Sequence, residues 1–192
     1  MRFYPRVLFS LCCFSVTFPA FSTPSWWQDT LSAMPYSNLK ERIETRGGWY
    51  RCDVQQQDAS TYFSTFCLDD FSYYQQHLYG EVVLGKDSAQ FSFLTEYQWQ
   101  SLNGLILNLR KDGLVLRNIT IGQEHYDVFE ALEKKSSELV DKEVILLINR
   151  YPQETIRSLF WVKPDEFSSP SPSLNVELHS DGEIIDVKVT RF

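Results

Sequence analysis

Few residues in this chain could do chemistry, and they are scattered. Histidine occurs three times, at His77, His125 and His179, and none lies in H-E-x-x-H or any other zinc-ligand spacing. His125-Tyr126-Asp127 sets an imidazole near a carboxylate, the minimum for general-base work, but Asp127 and Glu130 also have the spacing of a box that caps a helix. Asp69, Asp70 and Glu124 are the carboxylates that glycoside cleavage could draw on, a chemistry that needs two carboxyls ~5 to 9.5 Å apart. Among 25 acidic residues, such candidates arise by abundance alone. The chain has no G-x-S-x-G elbow, no G-x-x-x-x-G-K-[ST] loop and no G-x-G-x-x-G turn, so acyl-transfer and nucleotide chemistry lose their usual signatures. No residue is assigned a catalytic, cofactor-binding or metal-binding role. Asp112-Gly113 and Asp181-Gly182 are better explained by turn geometry than by calcium, because neither has EF-hand spacing.

Aromatic side chains are the unusual feature: 14 Phe, 10 Tyr and 5 Trp in 192 residues. Three adjacent pairs, Trp26-Trp27, Trp49-Tyr50 and Tyr73-Tyr74, are hard to bury completely, because an extended backbone aims neighbouring rings to opposite sides. These six residues are the candidate binding surface. Exposed Trp and Tyr anchor protein interfaces and can also stack on sugars, so a protein partner is expected first and a glycan second.

The amino-terminal residues 1–22 carry Arg2 and Arg6, then an apolar run from Val7 to Phe21, with no acidic residue. That layout matches a secretory signal, and Ala20 and Ser22 suit cleavage before Thr23. The run is shorter than the ~20 residues needed to span a bilayer. Cys12 and Cys13 lack a preceding lipobox and read as apolar filler. Removal of this segment leaves 16 basic against 25 acidic side chains, a net charge of −9 that opposes binding to nucleic acid or to anionic membranes. Cys52 and Cys67 then remain, and two Cys in an exported chain are most simply a structural disulfide.

The elements that must position these residues follow from periodicity. Trp26 to Met34 and Asn38 to Glu44 have helical spacing. Trp49 to Val54, Tyr62 to Leu68 and His77 to Leu84 read as strands, and the alternation Phe91, Phe93, Thr95, Tyr97, Trp99 predicts another with an aromatic face. Asp112-Gly113 and Asp181-Gly182 predict tight hairpins, the first pairing Leu109 with Leu116 and the second pairing Leu178 with Ile185 and Val176 with Val187. The second register sets Glu177 opposite Asp186, two like charges. One or two helices are expected over about 126–151, the later one ending at Pro152, although Val144 to Ile148 would also suit a strand. A Ser/Pro-rich loop, 168–173, precedes a carboxy-terminal hairpin, 174–192.

The expected fold is α+β with a mainly antiparallel sheet, forming one domain over 23–192. The terminal Phe192 of an outer-membrane barrel strand is unsupported by the parity of the apolar residues before it. The expected function is that of an exported, non-enzymatic binding or accessory protein of a bacterial-type cell envelope, periplasmic or secreted. The alternatives are a small glycan or peptidoglycan hydrolase using paired carboxylates, and a structural subunit that adds its last hairpin to a neighbour's sheet.

Overall fold

The computed structural model describes residues 25–32, 35–45, 48–52 and 64–191. The segment expected to be a cleaved signal lies outside the described residues. Two helices, α1 (Ser25–Leu31) and α2 (Tyr36–Thr45), come first. They are followed by strands β1 (Tyr50–Arg51), β2 (Ser64–Tyr73), β3 (Gln76–Leu84) and β4 (Ala89–Glu96). Helix α3 (Trp99–Lys111) leads to β5 (Val115–Ile121) and β6 (Glu124–Asp127), then α4 (Val128–Leu132) and α5 (Ser137–Arg150). Strands β7 (Arg157–Val162), β8 (Leu174–Ser180) and β9 (Ile184–Arg191) complete the chain. The described strands form one antiparallel sheet in the order β1-β2-β3-β4-β9-β8-β7-β5-β6, so the fold is α+β.

The order has an internal symmetry with no sequence repeat behind it. β2-β3-β4 and β7-β8-β9 are both antiparallel meanders, and their last strands pair with each other, Phe91 against Val189 and Phe93 against Val187. Burial alternates along every long strand: Phe91, Phe93, Val187, Leu178, Leu159 and Ile119 all point into one core. Among the described residues the helices therefore cover a single face of the sheet, and the other face carries none. Helix α1 docks on this core through Trp27, while Arg191 of β9 donates to Asp29 O at 3.0 Å.

Three local expectations are corrected. First, the β4 strand ends at Glu96, and Trp99 opens helix α3 instead of extending the aromatic strand face. Second, Asp112-Gly113 closes that helix and makes no hairpin. Gly113 N–H donates to Arg110 O, Leu114 N–H donates to Leu109 O, and Gly113 has φ 84°. This is a Schellman cap, which uses the same positive-φ glycine that a hairpin turn would. Leu109 thus packs as the last buried residue of the helical series Leu102, Leu105, Leu109 and does not pair with Leu116.

Third, the β8–β9 register is shifted by two residues. Leu178 lies opposite Val187, Val176 opposite Val189, and Ser180 opposite Ile185. An even shift keeps every side chain on its face, and it exchanges the Glu177/Asp186 clash for Glu177 opposite Lys188 and His179 opposite Asp186. The wider loop is held by Asp181 Oδ1, which accepts from the N–H groups of Glu183 and Ile184 at 2.9 Å each. At its tip Gly182 has φ 93°, and a Cβ there would stand 2.7 Å from Glu154 Cα. This hairpin lies inside the sheet, bonded on both sides, so it has no free edge to lend to a neighbour.

The disulfide is formed between Cys52 and Cys67, with Cα atoms 5.7 Å apart and 15 residues between them in sequence. It ties the end of β1 to β2, reinforcing a two-residue edge strand that has few other ladder bonds. A loop of this length gives about 3 kcal/mol in the chain-entropy treatment. The Cys52→Ser, Cys67→Ser double variant is therefore expected to unfold at lower denaturant with about that loss. A change below about 1 kcal/mol would contradict it.

Candidate functional site

The aromatic pairs mainly organise the core. Trp27 is 0% and Tyr73 1% exposed, so neither can touch a partner. Trp27 stacks edge-on against Tyr73 and Phe93, with centroids 5.0 and 5.5 Å away. Their polar atoms converge on one carboxylate at the end of α3. Trp27 Nε1 and Tyr73 Oη both donate to Asp112 Oδ2 at 2.7 Å, and Tyr74 Oη donates to Oδ1 at 2.7 Å. A negative charge at a helix C-terminus opposes the helix dipole, and these three donors offset that cost. Burial pushes the Tyr73 phenol far up, aided by its hydrogen bond to Asp112. The same causes, in the same order, push Tyr74 up to about 12.

Tyr74 takes φ 56°, the only positive value among described residues other than glycine, and Lys111 Nζ lies 5.1 Å above its ring. Strain of this kind persists only where surrounding contacts hold it. Trp49 is half-buried against Phe91 and Phe93, whereas Tyr50 is 47% exposed with its hydroxyl bonded to Asp69. Of these two pairs, each puts one ring further into the core than the other. The side chain of Trp26 lies outside the described residues.

Asp69 and Asp70 stand together, and Glu124 is not brought to them. A β-bulge in β2 sets both Asp69 and Asp70 opposite Tyr79, and both side chains face water. Asp70 meets His77 Nδ1 at 2.8 Å. Glu124 stands on β6, where Arg150 and Tyr151 both donate to it at 2.6 Å. The Tyr151 hydrogen bond holds that carboxyl below the usual range against the opposing effect of burial, and the hydrogen bond and charge of Arg150 add to the lowering. β2 and β6 are seven strand positions apart, which at ~4.8 Å per strand is roughly 34 Å, far beyond the reach of a shared glycosidic bond.

Two of the histidines sit on the bare sheet face in a row that crosses five strands. Asp186, His179, Ser158, Thr120 and His125 are successive cross-strand neighbours. Ser158 Oγ lies 3.0 Å from His179 Nδ1, Thr120 Oγ1 lies 3.0 Å from His125 Nδ1, and Ser92 donates to Asp186 at 2.7 Å. A serine beside an imidazole resembles a nucleophile and its base. Ser158 and His179 nevertheless stand on the inner strands β7 and β8, whose backbone N–H groups are taken up by ladders on both sides. These are cross-strand polar pairs of a solvated face. No group of three or more His, Cys, Asp or Glu among the described residues could hold a metal ion.

A cavity with the composition of a binding site lies away from the residues that the sequence marks as candidates. Between α4, α5 and β5 is an open pocket of about 480 Å3. Val128 and Leu132 of α4, Val140 and Val144 of α5, Leu116 of β5 and Phe167 form much of its wall. Arg110 and Asp141, 3.3 Å apart, add a polar group to this wall. A few polar groups on an apolar wall, at this volume, is the usual make-up of a ligand pocket. Helix α5 also leaves Leu139, Ile145 and Leu146 at 45, 56 and 59% exposure. The visible signal was that these aliphatics fall outside the inward stripe Val140, Val144, Leu147, Ile148 and so have nothing of the core to pack on.

No helix among the described residues is long and apolar enough to cross a membrane. Comparison with protein-family models, with curated proteins and with solved structures finds no match to this chain.

Proposed function

We propose that the protein is an exported binding or accessory protein of the cell envelope that engages a protein partner through the α4–α5 side of the molecule. The observation that carries this reading is the apolar pocket of about 480 Å3 beside α5, on a helix that also exposes three large aliphatics. Such a pocket accepts one apolar anchor from a partner, and the aliphatics exposed elsewhere on the same helix extend the apolar contact beyond it. The Arg110–Asp141 pair supplies polar direction. Export, to the periplasm or beyond, is supported by the charge and hydrophobic layout of residues 1–22 and by the disulfide, which persists in oxidising compartments. The binding surface moves away from Trp27 and Tyr73, which are part of the core.

A photo-crosslinking residue at Leu139 or Ile145 is expected to trap a discrete protein adduct in the native envelope. The same residue at Tyr79, on the bare sheet face, is expected to trap none. Leu139→Asp with Ile145→Asp should cut capture roughly tenfold or more at unchanged thermal stability. Adducts from Tyr79 or Tyr50 alone, or capture indifferent to both aspartates, would reject the α4–α5 surface.

A further inference from the structure

A second surface, sharing no lining residue with the apolar pocket, has a different chemistry. Along the β2–β3 turn and one side of α3 lies a polar hollow of about 460 Å3, and at the β2 bulge lies another of about 340 Å3. Ser101 lines both, so they meet. We infer that the two form one trench that binds a neutral oligosaccharide.

The first support is the kind of side chain present. Tyr79, 66% exposed, lines one hollow, and Tyr74 lines the other. The amides of Gln75, Gln76 and Gln100 line the same hollow as Tyr74. The exposed ring of Tyr79 offers a flat apolar face to a pyranose, while the amides of Gln75 and Gln100 each carry a donor and an acceptor side by side for neighbouring hydroxyls. The β2–β3 turn that presents Tyr74 and Gln75 is anchored by the Tyr74–Asp112 bond, so little ordering is left for binding to supply.

The second support is an acceptor left unused. Gln76 Nε2 donates to Ser101 O at 2.9 Å, yet its Oε1 is buried and without a partner among the described residues. A sealed, unpartnered acceptor is costly, and a small shift of this side chain toward a sugar hydroxyl removes the cost. Gly104 makes room for that amide, since a Cβ there would stand 2.3 Å from Gln76 Nε2.

Charge and shape select the ligand. Asp69, Asp70 and Glu96 line the bulge hollow, which repels an acidic glycan and accepts hydroxyl protons. An extended peptide would want alternating apolar pockets. Only Leu78 and Leu107 are aliphatic among the described lining residues, and Leu78 is 2% exposed.

This trench is independent of the protein-partner reading, and its test uses other residues. Calorimetric titration of the purified full chain with cellotetraose and with chitotetraose is expected to give saturable binding of at least one, with Kd at or below ~1 mM. Tyr79→Ala and Gln100→Ala, both away from the core, should each weaken it roughly tenfold without lowering the thermal midpoint. Gly104→Ala should weaken it as well, by displacing Gln76. Tri-galacturonate and acetylated tetra-alanine serve as the acidic-sugar and peptide controls and are expected to bind more weakly. No saturable binding of either neutral sugar by ~10 mM would overturn the inference. So would affinity unchanged in both alanine variants, or tighter binding of either control.

Discussion

Replacing Asp112 with Ala is expected to lower the unfolding free energy by roughly 4 kcal/mol, because it takes the acceptor from two donors on buried side chains, each loss costing about 1 to 3 kcal/mol. Those donors are Trp27 Nε1 and Tyr73 Oη on side chains 0 and 1% exposed, whereas Tyr74, being half-buried, can turn to solvent. Asp112→Asn keeps one acceptor oxygen and should lose about half as much. Urea unfolding followed by Trp fluorescence measures both, and a loss under about 1 kcal/mol for the alanine variant would refute the anchoring role.

The same cluster sets an alkaline limit on stability. The Tyr73 and Tyr74 phenols are raised in the folded protein from an ordinary value of 10.0, Tyr74 to about 12. The unfolded chain therefore ionises first as pH climbs. The stabilisation is fully present below pH 10 and is lost as pH rises from there through the folded values. In the Asp112→Ala protein the carboxylate no longer opposes ionisation, so tyrosinate absorbance should develop at lower pH. An unchanged alkaline titration would contradict this.

Arg157→Met is expected to cost about 3 kcal/mol or more, the range for removing one side of a buried charged network. Arg157 is 0% exposed, and main-chain carbonyl oxygens solvate its charge. Nη1 donates to Gln153 O and Thr155 O at 2.9 and 2.7 Å, and Nη2 donates to Tyr151 O and Pro152 O at 2.9 and 2.8 Å. The planar fork thus gathers the turn that follows α5 and sets a positive charge at the negative end of that helix. Lysine keeps the charge, but its compact ammonium cannot span both pairs, so Arg157→Lys should recover only part of the loss. Hydrogen exchange would accelerate first in residues 151–157. If Arg157→Met exchanges no faster there than the parent protein, the fork does not hold the turn.

Arg157 and Asp112 show what a linear reading misses. Neither residue type nor neighbourhood marks Arg157 in the sequence, since its acceptors are main-chain oxygens that any residues would supply. Asp112 was legible only as an Asp-Gly turn. Its donors come from 85, 39 and 38 residues away, and only the packing of α1 and the β2–β3 turn against α3 brings them to it. Helix α3 itself was readable in Leu102, Leu105 and Leu109. The positive-φ glycine masked it, because a hairpin turn and a helix cap want the same residue.

The sequence by itself determined what depends on short spacing. The α+β class, the alternation of β4, the Asp127 cap that accepts from Glu130 N–H at 3.0 Å, the helix over α5 and the Cys52–Cys67 pairing all rest on periods of 2 or 3.6 residues, on local hydrogen bonds, or on a choice of two cysteines. Tertiary structure alone decided the order of strands, the two-residue register shift that pairs Glu177 with Lys188, and the separation of Asp69 and Asp70 from Glu124. It also decided where the apolar pocket and the polar trench open. Those depend on which elements pack side by side, and the free energy that selects among packings is a sum over contacts between residues far apart in the chain, which no local spacing encodes.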